Sequence, residues 1–529
     1  MMNKQRKMNK LNLDKAQIIR CRNLAKRIVN ALLPEITASS TDSIERTILR
    51  FWGVEGSLDG NIPVVNAVID RLKRADRITD GVAGPIGALI AETGASVQEV
   101  CRRLASGELD WPPPSKCTTK AAVSIARKLS NQGCKRIQSA VAERDALKAR
   151  LEEQWKKEHK KETLSPWLYV IVATGNIYED VKQAQAAVFA GADCIAVIRS
   201  TAQSLLDYVP EGATTEGFGG TYATAENFVI MRRALDEAGE KAGRYVRLVN
   251  YASGLCMPEI SILAAQHKLD MLLNDSMYGI IFRDIHRMRT FVDQFLSRRI
   301  CAAAGIIINT GEDNYLTTAD AVTAAPTVLA SQFINERFAL KAGMPRSLMG
   351  LGHAFEADPW RKNSLLYELA TAQLTREVFP EAPIKYMPPT RYKTGDIFFS
   401  HVLDAMFNLA STATGQTIHL CGMLTEALHT PILQDRYKSL EAARYIRSAA
   451  SDLKHEIDFN ANGFIVAHAT KVLGKTEALL AKIARIGLLQ ALAKGIFADI
   501  KRPPEGGRGG EGVFHKSDDY LDPFAMVNL

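Results

Sequence analysis

The chain has 529 residues, 47% hydrophobic and 23% charged, a balance that excludes a disordered or fibrous protein. That length exceeds one ordinary core and suggests a single large barrel with flanking helical regions. The net charge of +8 comes from Lys and Arg interleaved with Asp and Glu, so no clustered basic surface for nucleic acid stands out. The stretch Lys156 to Lys161 is the exception and reads as a solvated helix face.

The first residues, MMNKQRKMNKLNLDK, are basic but lack the apolar centre of a secretion signal, and no run of about 18 apolar residues occurs anywhere. A cytoplasmic protein is expected, with an organelle import peptide as the alternative reading of that start. The eight cysteines form no CxxC pair and show no zinc or iron–sulfur spacing. They read as free thiols in a reducing compartment, and no metal site is implied.

Helical apolar spacing then runs from Leu13 to Leu33, Thr41 to Val54, Val64 to Arg74, Gly84 to Glu92 and Val97 to Leu104. Trp111-Pro112-Pro113-Pro114 breaks it, and Lys120 to Lys161 resumes it as a long, charged helix pair with little to bury at its end. Residues 1–162 are expected to form an N-terminal helical arm that packs on a partner as an accessory clamp.

Eight short apolar runs follow: Leu168 to Val172, Cys194 to Ile198, Val246 to Val249, Met271 to Leu273, Ile306 to Ile308, Leu348 to Leu351, Ile384 to Met387 and Ile418 to Leu420. Most are separated by helix-patterned stretches of crossover length, the pattern of parallel strands. Polar or charged residues stand directly after nearly all of them, among them Thr174-Gly175-Asn176, Arg199-Ser200, Asn250-Tyr251-Ala252-Ser253, Asn309-Thr310 and His353. The fold class is therefore α/β, a (β/α)8 TIM barrel over residues 163–432, with its chemistry at the C-terminal strand ends.

One interval carries a glycine-rich insert, Asp207 to Thr224, ahead of a helix-like run from Ala225 to Ala238. Its place on the catalytic face favours a ligand-closing loop over a merely irregular one. Beyond the eighth strand, residues 433–529 read as a C-terminal helical extension, with helices at Ser439 to Glu456 and Val472 to Ile500. A glycine-rich, extended or mobile tail follows, whose last aromatic and apolar residues suit surface docking as well as disorder.

The blocks LYVIVATGNIYED, SLLDYVPEGATTEGFGGTYAT, SGLCMPEI, INTGEDNYLTTADA, VLASQFINE, MGLGHAFE and GMLTEALHTP carry a more specific signal. Across essentially the whole chain, from Leu11 to Asp522, the sequence resembles the lysine 5,6-aminomutase α subunits. The resemblance implies a radical 1,2-amino shift dependent on adenosylcobalamin and pyridoxal 5′-phosphate, in anaerobic lysine degradation. D-lysine would give 2,5-diaminohexanoate and L-β-lysine 3,5-diaminohexanoate. It places pyridoxal phosphate at the barrel mouth, with Arg199 and Ser204 at the phosphate, Ser253 at the pyridine nitrogen and Tyr278 stacked on the ring. Arg283, Asp313 and Lys385 would face the substrate or the cofactor phenol. An ordinary salt-bridge network and core packing of Tyr278 are the competing roles. Glu426, His429 and His353 are further residues at the strand ends.

Two absences complete this reading. The string Thr417-Ile418-His419-Leu420-Cys421-Gly422 has threonine where a cobalamin DxHxxG loop needs aspartate, so His419 is not expected to ligate cobalt. No Schiff-base lysine is recognisable either. In the family both groups belong to a smaller β subunit carrying the cobalamin domain, which implies an α2β2 assembly in which this chain is incomplete alone. The alternatives are an ornithine 4,5-aminomutase-like mutase, a cobalamin-independent pyridoxal phosphate barrel enzyme, and a non-catalytic barrel scaffold.

Overall fold

The computed structural model describes residues 9–159, 165–198, 206–217, 220–252, 254–273, 277–527 and 529. Before the barrel come the helix Lys15–Ala38, the short strand Ser39–Thr41 (β1) and the helices Asp42–Trp52, Val64–Arg74, Ala83–Thr93 and Val97–Ser106. Lys120–Glu158 is one unbroken 39-residue helix where the sequence suggested a helix pair. It buries small residues, Ala122, Ala126, Ser130, Gly133 and Ala140, which let it lie close against its neighbours. Gly133 stands directly against the Phe51 ring.

The described residues of this arm pack against the chain's own barrel. Arg144, buried on the long helix, donates to the Leu269 carbonyl at 2.8 Å and the Ala304 carbonyl at 2.9 Å. Both carbonyls lie just ahead of barrel strands. A long charged helix thus finds partners in backbone carbonyls ahead of the barrel strands, which no apolar pattern announces.

The barrel strands are Trp167–Ile171 (β2), Cys194–Ile198 (β3), Arg247–Tyr251 (β4), Met271–Leu273 (β5), Ile307–Asn309 (β6), Met349–Gly350 (β7), Gly352–Ala354 (β8), Lys385–Met387 (β9) and Ile418–Leu420 (β10). All pairings are parallel, in the order β7-β6-β5-β4-β3-β2-β10-β9-β8. The sheet closes because β7 and β8 are two halves of one stave: β7 pairs with β6, β8 pairs with β9, and Leu351 between them accepts from the Lys385 amide at 3.0 Å. The result is a (β/α)8 barrel with helical extensions, as expected. The sixth stave runs three residues beyond the sequence reading, because Gly350 and Gly352 dilute its apolar signal.

Inward side chains fill the barrel with Tyr169, Cys194, Ala196, Val249, Met271, Ile418 and Leu420, a packed interior and not a pore. The floor is tied by buried carboxylates. Asp193 accepts from the Leu168 amide at 2.9 Å and pairs with Arg244 and Arg447, while Asp270 accepts from the Leu248 amide and the Tyr245 phenol, each at 2.9 Å.

After the barrel come Leu433–Ala449, Phe464–Ile486 and Leu488–Ala493, then a tail that the structure seats firmly. Val513–His515 (β11) pairs antiparallel with β1, the Tyr520 phenol donates to Glu45 at 2.7 Å, and Phe524 stacks on Phe51 with ring centroids 5.0 Å apart. The surface that receives the tail is the protein's own N-terminal region. Phe524→Ala is expected to release this docking and raise the rate of limited proteolysis within Gly506 to Gly512 by about tenfold. A rate equal to that of the unaltered chain would show that the ring does not hold the tail.

Candidate active site

The parallel strands end at one face, and the two-residue period of β9 sets what reaches it. Lys385 and Met387 turn into the barrel, while Tyr386 turns out against Phe407. Lys385 is 2% exposed, and its Nζ donates to Oδ2 of Asp313 at 2.9 Å. Asp313 opens the short helix Asp313–Thr318 just beyond β6 and is fully buried.

The second carboxylate oxygen, Asp313 Oδ1, has no hydrogen-bond partner among the described residues. Gly352 helps make this possible, since a Cβ added there would stand 2.5 Å from Oδ1. Burial pushes the Asp313 carboxyl above the usual carboxylate range, against the pull of Lys385. Burial draws the Lys385 ammonium down, but the Asp313 charge more than restores it, with the nearby phenols of Tyr251 and Tyr278 adding to the effect. On β6 beside them, Asn309 is buried with its Oδ1 also unpartnered and its Nδ2 directed to Met271 Sδ at 3.8 Å. The mouth therefore holds a paired cation together with spare buried acceptors, a combination suited to a ligand that brings its own donors.

Tyr278 and Arg283 come from the helix Tyr278–Arg283, which follows β5. The guanidinium lies 5.5 Å from the ring centroid, and its Nη2 donates to the phenol oxygen at 3.1 Å. Arg283 thus braces Tyr278, while Arg283 Nε is buried without a hydrogen-bond partner among the described residues. Arg199, Ser204 and Ser253 lie outside the described residues.

The insert that separates β3 from its helix is pinned at its root. Arg50 pairs with Glu211 at 2.6 Å and Glu259 at 2.7 Å, Arg46 pairs with Glu259 at 3.2 Å, and Arg289 reaches Asp207 at 3.1 Å. Its far end folds back on the turn after β2, where Thr221 Oγ1 accepts from the Gly175 amide at 3.0 Å and donates to Asp180.

The remaining strand-end residues divide. Glu426 joins a buried cluster in which Lys393 meets Asp404 at 2.7 Å and Glu426 at 3.4 Å. His429 is exposed on the rim, with Nδ1 2.9 Å from the Thr430 carbonyl. His353 turns outward and stacks on Tyr386, and burial pulls its pKa to about 3. His419 likewise faces the helix layer, held by Ser411 at 2.8 Å and Asn408 at 2.7 Å. These two imidazoles are turned away from the mouth. Among the described residues no group of three or more metal-ligating side chains occurs, and no helix is long and apolar enough to cross a membrane. The eight cysteines carry free thiols.

Sequence reasoning missed the buried lysine Lys393, which sits in a polar loop with no signal of burial, and the paired acids Glu356 and Glu368 beside the mouth. Burial pushes Glu356 up to about 9 and Glu368 up to about 8. Both are neutral in the fold at pH 7 and ionised in the unfolded chain, which therefore binds fewer protons. Stability then falls as pH rises from about 5 to 8. Glu368→Gln, which cannot ionise, is expected to raise Tm by a few degrees at pH 8 and to leave it unchanged at pH 5, as read by thermal scans. An equal shift at both values would refute a neutral Glu368.

Residues 11–527 match the family model described as the D-lysine 5,6-aminomutase TIM-barrel domain of the alpha subunit. The chain is 50% identical over 522 residues to the lysine 5,6-aminomutase alpha subunit of Fusobacterium nucleatum, covering 99% of each chain. It is also 50% identical over 521 residues to that of Acetoanaerobium sticklandii, covering 98% of this chain and 99% of the relative. The D-ornithine 4,5-aminomutase subunit beta of A. sticklandii is 26% identical over 374 residues, which are 68% of this chain and 50% of that protein. With the match running through the barrel and both helical extensions, the chain belongs to the lysine 5,6-aminomutase alpha-subunit family.

Proposed function

We propose that the chain is the barrel subunit of a lysine 5,6-aminomutase that converts D-lysine to 2,5-diaminohexanoate and L-β-lysine to 3,5-diaminohexanoate in the cytoplasm. It would act with a β subunit in an α2β2 assembly. The observation that carries this reading is the buried Lys385–Asp313 pair at the barrel mouth, with Asp313 Oδ1 left open. The substrate has ammonium groups to donate and a carboxylate to receive. A buried acceptor beside a buried cation fits those complementary needs.

The donor set also fits pyridoxal phosphate: an aromatic ring braced by a guanidinium at Tyr278 and Arg283, and a buried ammonium at Lys385. Arg199 and Ser204 would hold its phosphate, Ser253 its ring nitrogen and Tyr278 its face. When bound, pyridoxal phosphate holds the migrating amine and adenosylcobalamin supplies the radical that removes and returns a substrate hydrogen. Asp313 would orient the substrate ammonium through Oδ1. Lys385 would stay protonated against Asp313 and neutralise developing negative charge, with Arg283 at the substrate carboxylate. The outward turn of His353 and His419 supports a cobalt ligand brought by the β subunit, which would also bring the Schiff-base lysine.

The test mixes the purified chain with both cofactors, with and without the β subunit, and assays diamino acid from D-lysine anaerobically. Product only from the complete mixture is expected. Activity from this chain alone would overturn the division of labour. Borohydride reduction of the isolated chain with pyridoxal phosphate should leave Lys385 unlabelled, and labelling there would favour a cobalamin-independent barrel enzyme.

A further inference from the structure

Asn309, the last residue of β6, turns its carboxamide into the barrel. Ile307 packs on the interior and Ile308 on the outer core, so the two-residue period of the strand brings Asn309 inward at its C-terminal end. Its neighbours across the sheet are Leu273 on β5 and Gly350 on β7. The side chain is 1% exposed, its Nδ2 donates to Met271 Sδ at 3.8 Å, and its Oδ1 has no hydrogen-bond partner among the described residues. A thioether is a weak acceptor, so the contact to sulfur satisfies little of the amide. For packing alone, an apolar side chain of similar size would stabilise the barrel more. A buried amide left open at a strand end on the active face of a barrel points to a ligand.

The sixth stave is shaped around two open oxygens. A Cβ added at Gly350 would collide with Asn309 Oδ1, and one added at Gly352 would stand 2.5 Å from Asp313 Oδ1. With Leu351 turned to the outer core, these glycines are consecutive inward positions, and Gly352 pairs with Lys385 on its other side. Two unpartnered acceptors therefore follow one another along one glycine-lined side of the barrel, beside a buried ammonium that Asp313 already matches. A further ammonium leaving water has three N–H donors to satisfy, more than a single carboxylate oxygen can accept. A neutral carboxamide adds the missing acceptor without setting a second carboxylate beside the first. We propose that Asn309 is a substrate-binding residue, its Oδ1 sharing with Asp313 Oδ1 the ammonium of the diamino acid that does not migrate. This rests on the substrate reading above.

The test measures ligand binding by calorimetry to the full chain assembled with the β subunit and pyridoxal phosphate, with adenosylcobalamin withheld so that nothing reacts. The probes are D-lysine and 6-aminohexanoate, which keeps the terminal amine and the carboxylate but lacks the ammonium at carbon 2. Asn309→Ala and Asn309→Leu, each shown folded by circular dichroism, are expected to weaken D-lysine by about tenfold and to leave 6-aminohexanoate unchanged. Asn309→Asp, which keeps an acceptor in place, should hold D-lysine within about threefold of the unaltered complex. Equal weakening of both probes would assign the amide to packing, and unchanged affinity for both would show that it does not meet the substrate; either result overturns the proposal. An Asp variant as weak as the Ala variant would move the contact to Nδ2 and overturn it too. D-ornithine separates this inference from the reading beneath it. If the unaltered complex binds D-ornithine and not D-lysine, with the same dependence on Asn309, the lysine assignment fails and the acceptor role stands. If no diamino acid binds, both fail.

Discussion

Asp313→Ala and Lys385→Met are each expected to lower D-lysine turnover by about 100-fold to 1000-fold, assayed with the β subunit and both cofactors. The two side chains meet at 2.9 Å in a site from which water is excluded, so each loss also disables the survivor. Asp313→Ala leaves an ammonium buried without its counter-charge, a defect that costs about 3–5 kcal/mol in comparable buried pairs. Asp313→Asn keeps the shape and separates charge from packing. The double variant should lose little more than either single one, because the pair acts as a unit. A loss equal to the product of the two would show that each works alone.

Glu259→Ala is expected to destabilise the fold by about 3–5 kcal/mol and to free the insert. Glu259 is fully buried, with one oxygen on Arg50 at 2.7 Å and the other on Arg46 at 3.2 Å. Removing it leaves two buried guanidinium groups near each other without their shared carboxylate. Arg50 also holds the Val209 carbonyl at 3.0 Å, so the insert loses its anchor at the same time. Chemical denaturation reads the first effect, and proteolysis between Asp207 and Thr224 reads the second. Replacing Arg46, Arg50 and Glu259 together by Met should cost much less stability than Glu259→Ala, since no buried charge of that trio is then stranded. If the triple variant is as unstable as the single one, the network contributes through packing and not through charge.

The strands were legible because each is buried on both faces, which writes parallel staves as short unbroken apolar runs. Gly352 hid the second half of the sixth stave for the reason that makes it useful: it leaves room beside Asp313. Lys385 and Asp313 were found through resemblance, but their pairing spans 72 positions and depends on strand register. Register also decides that His353 and His419 face outward, which a position at a strand end does not reveal. The Arg46–Glu259 contact joins residues 213 positions apart, and β1 is the polar triplet Ser39-Ser40-Thr41, with no strand signature at all. Such elements exist only because a distant segment completes them.

The pairing of β1 with β11, reinforced by the Tyr520–Glu45 hydrogen bond across 475 positions, governs the order in which the protein can be made. During synthesis the helices Lys15–Ala38 and Asp42–Trp52 precede the barrel, yet the β1 edge and the Phe51 face lack their cover until β11 and Phe524 have been made. The entropy of closing so long a loop rises only slowly with length, so the seam is affordable once the barrel has brought the two ends near. Truncation ahead of Val513 therefore damages the helices around β1 and Phe51, whose stability is acquired only once that distant segment is in place.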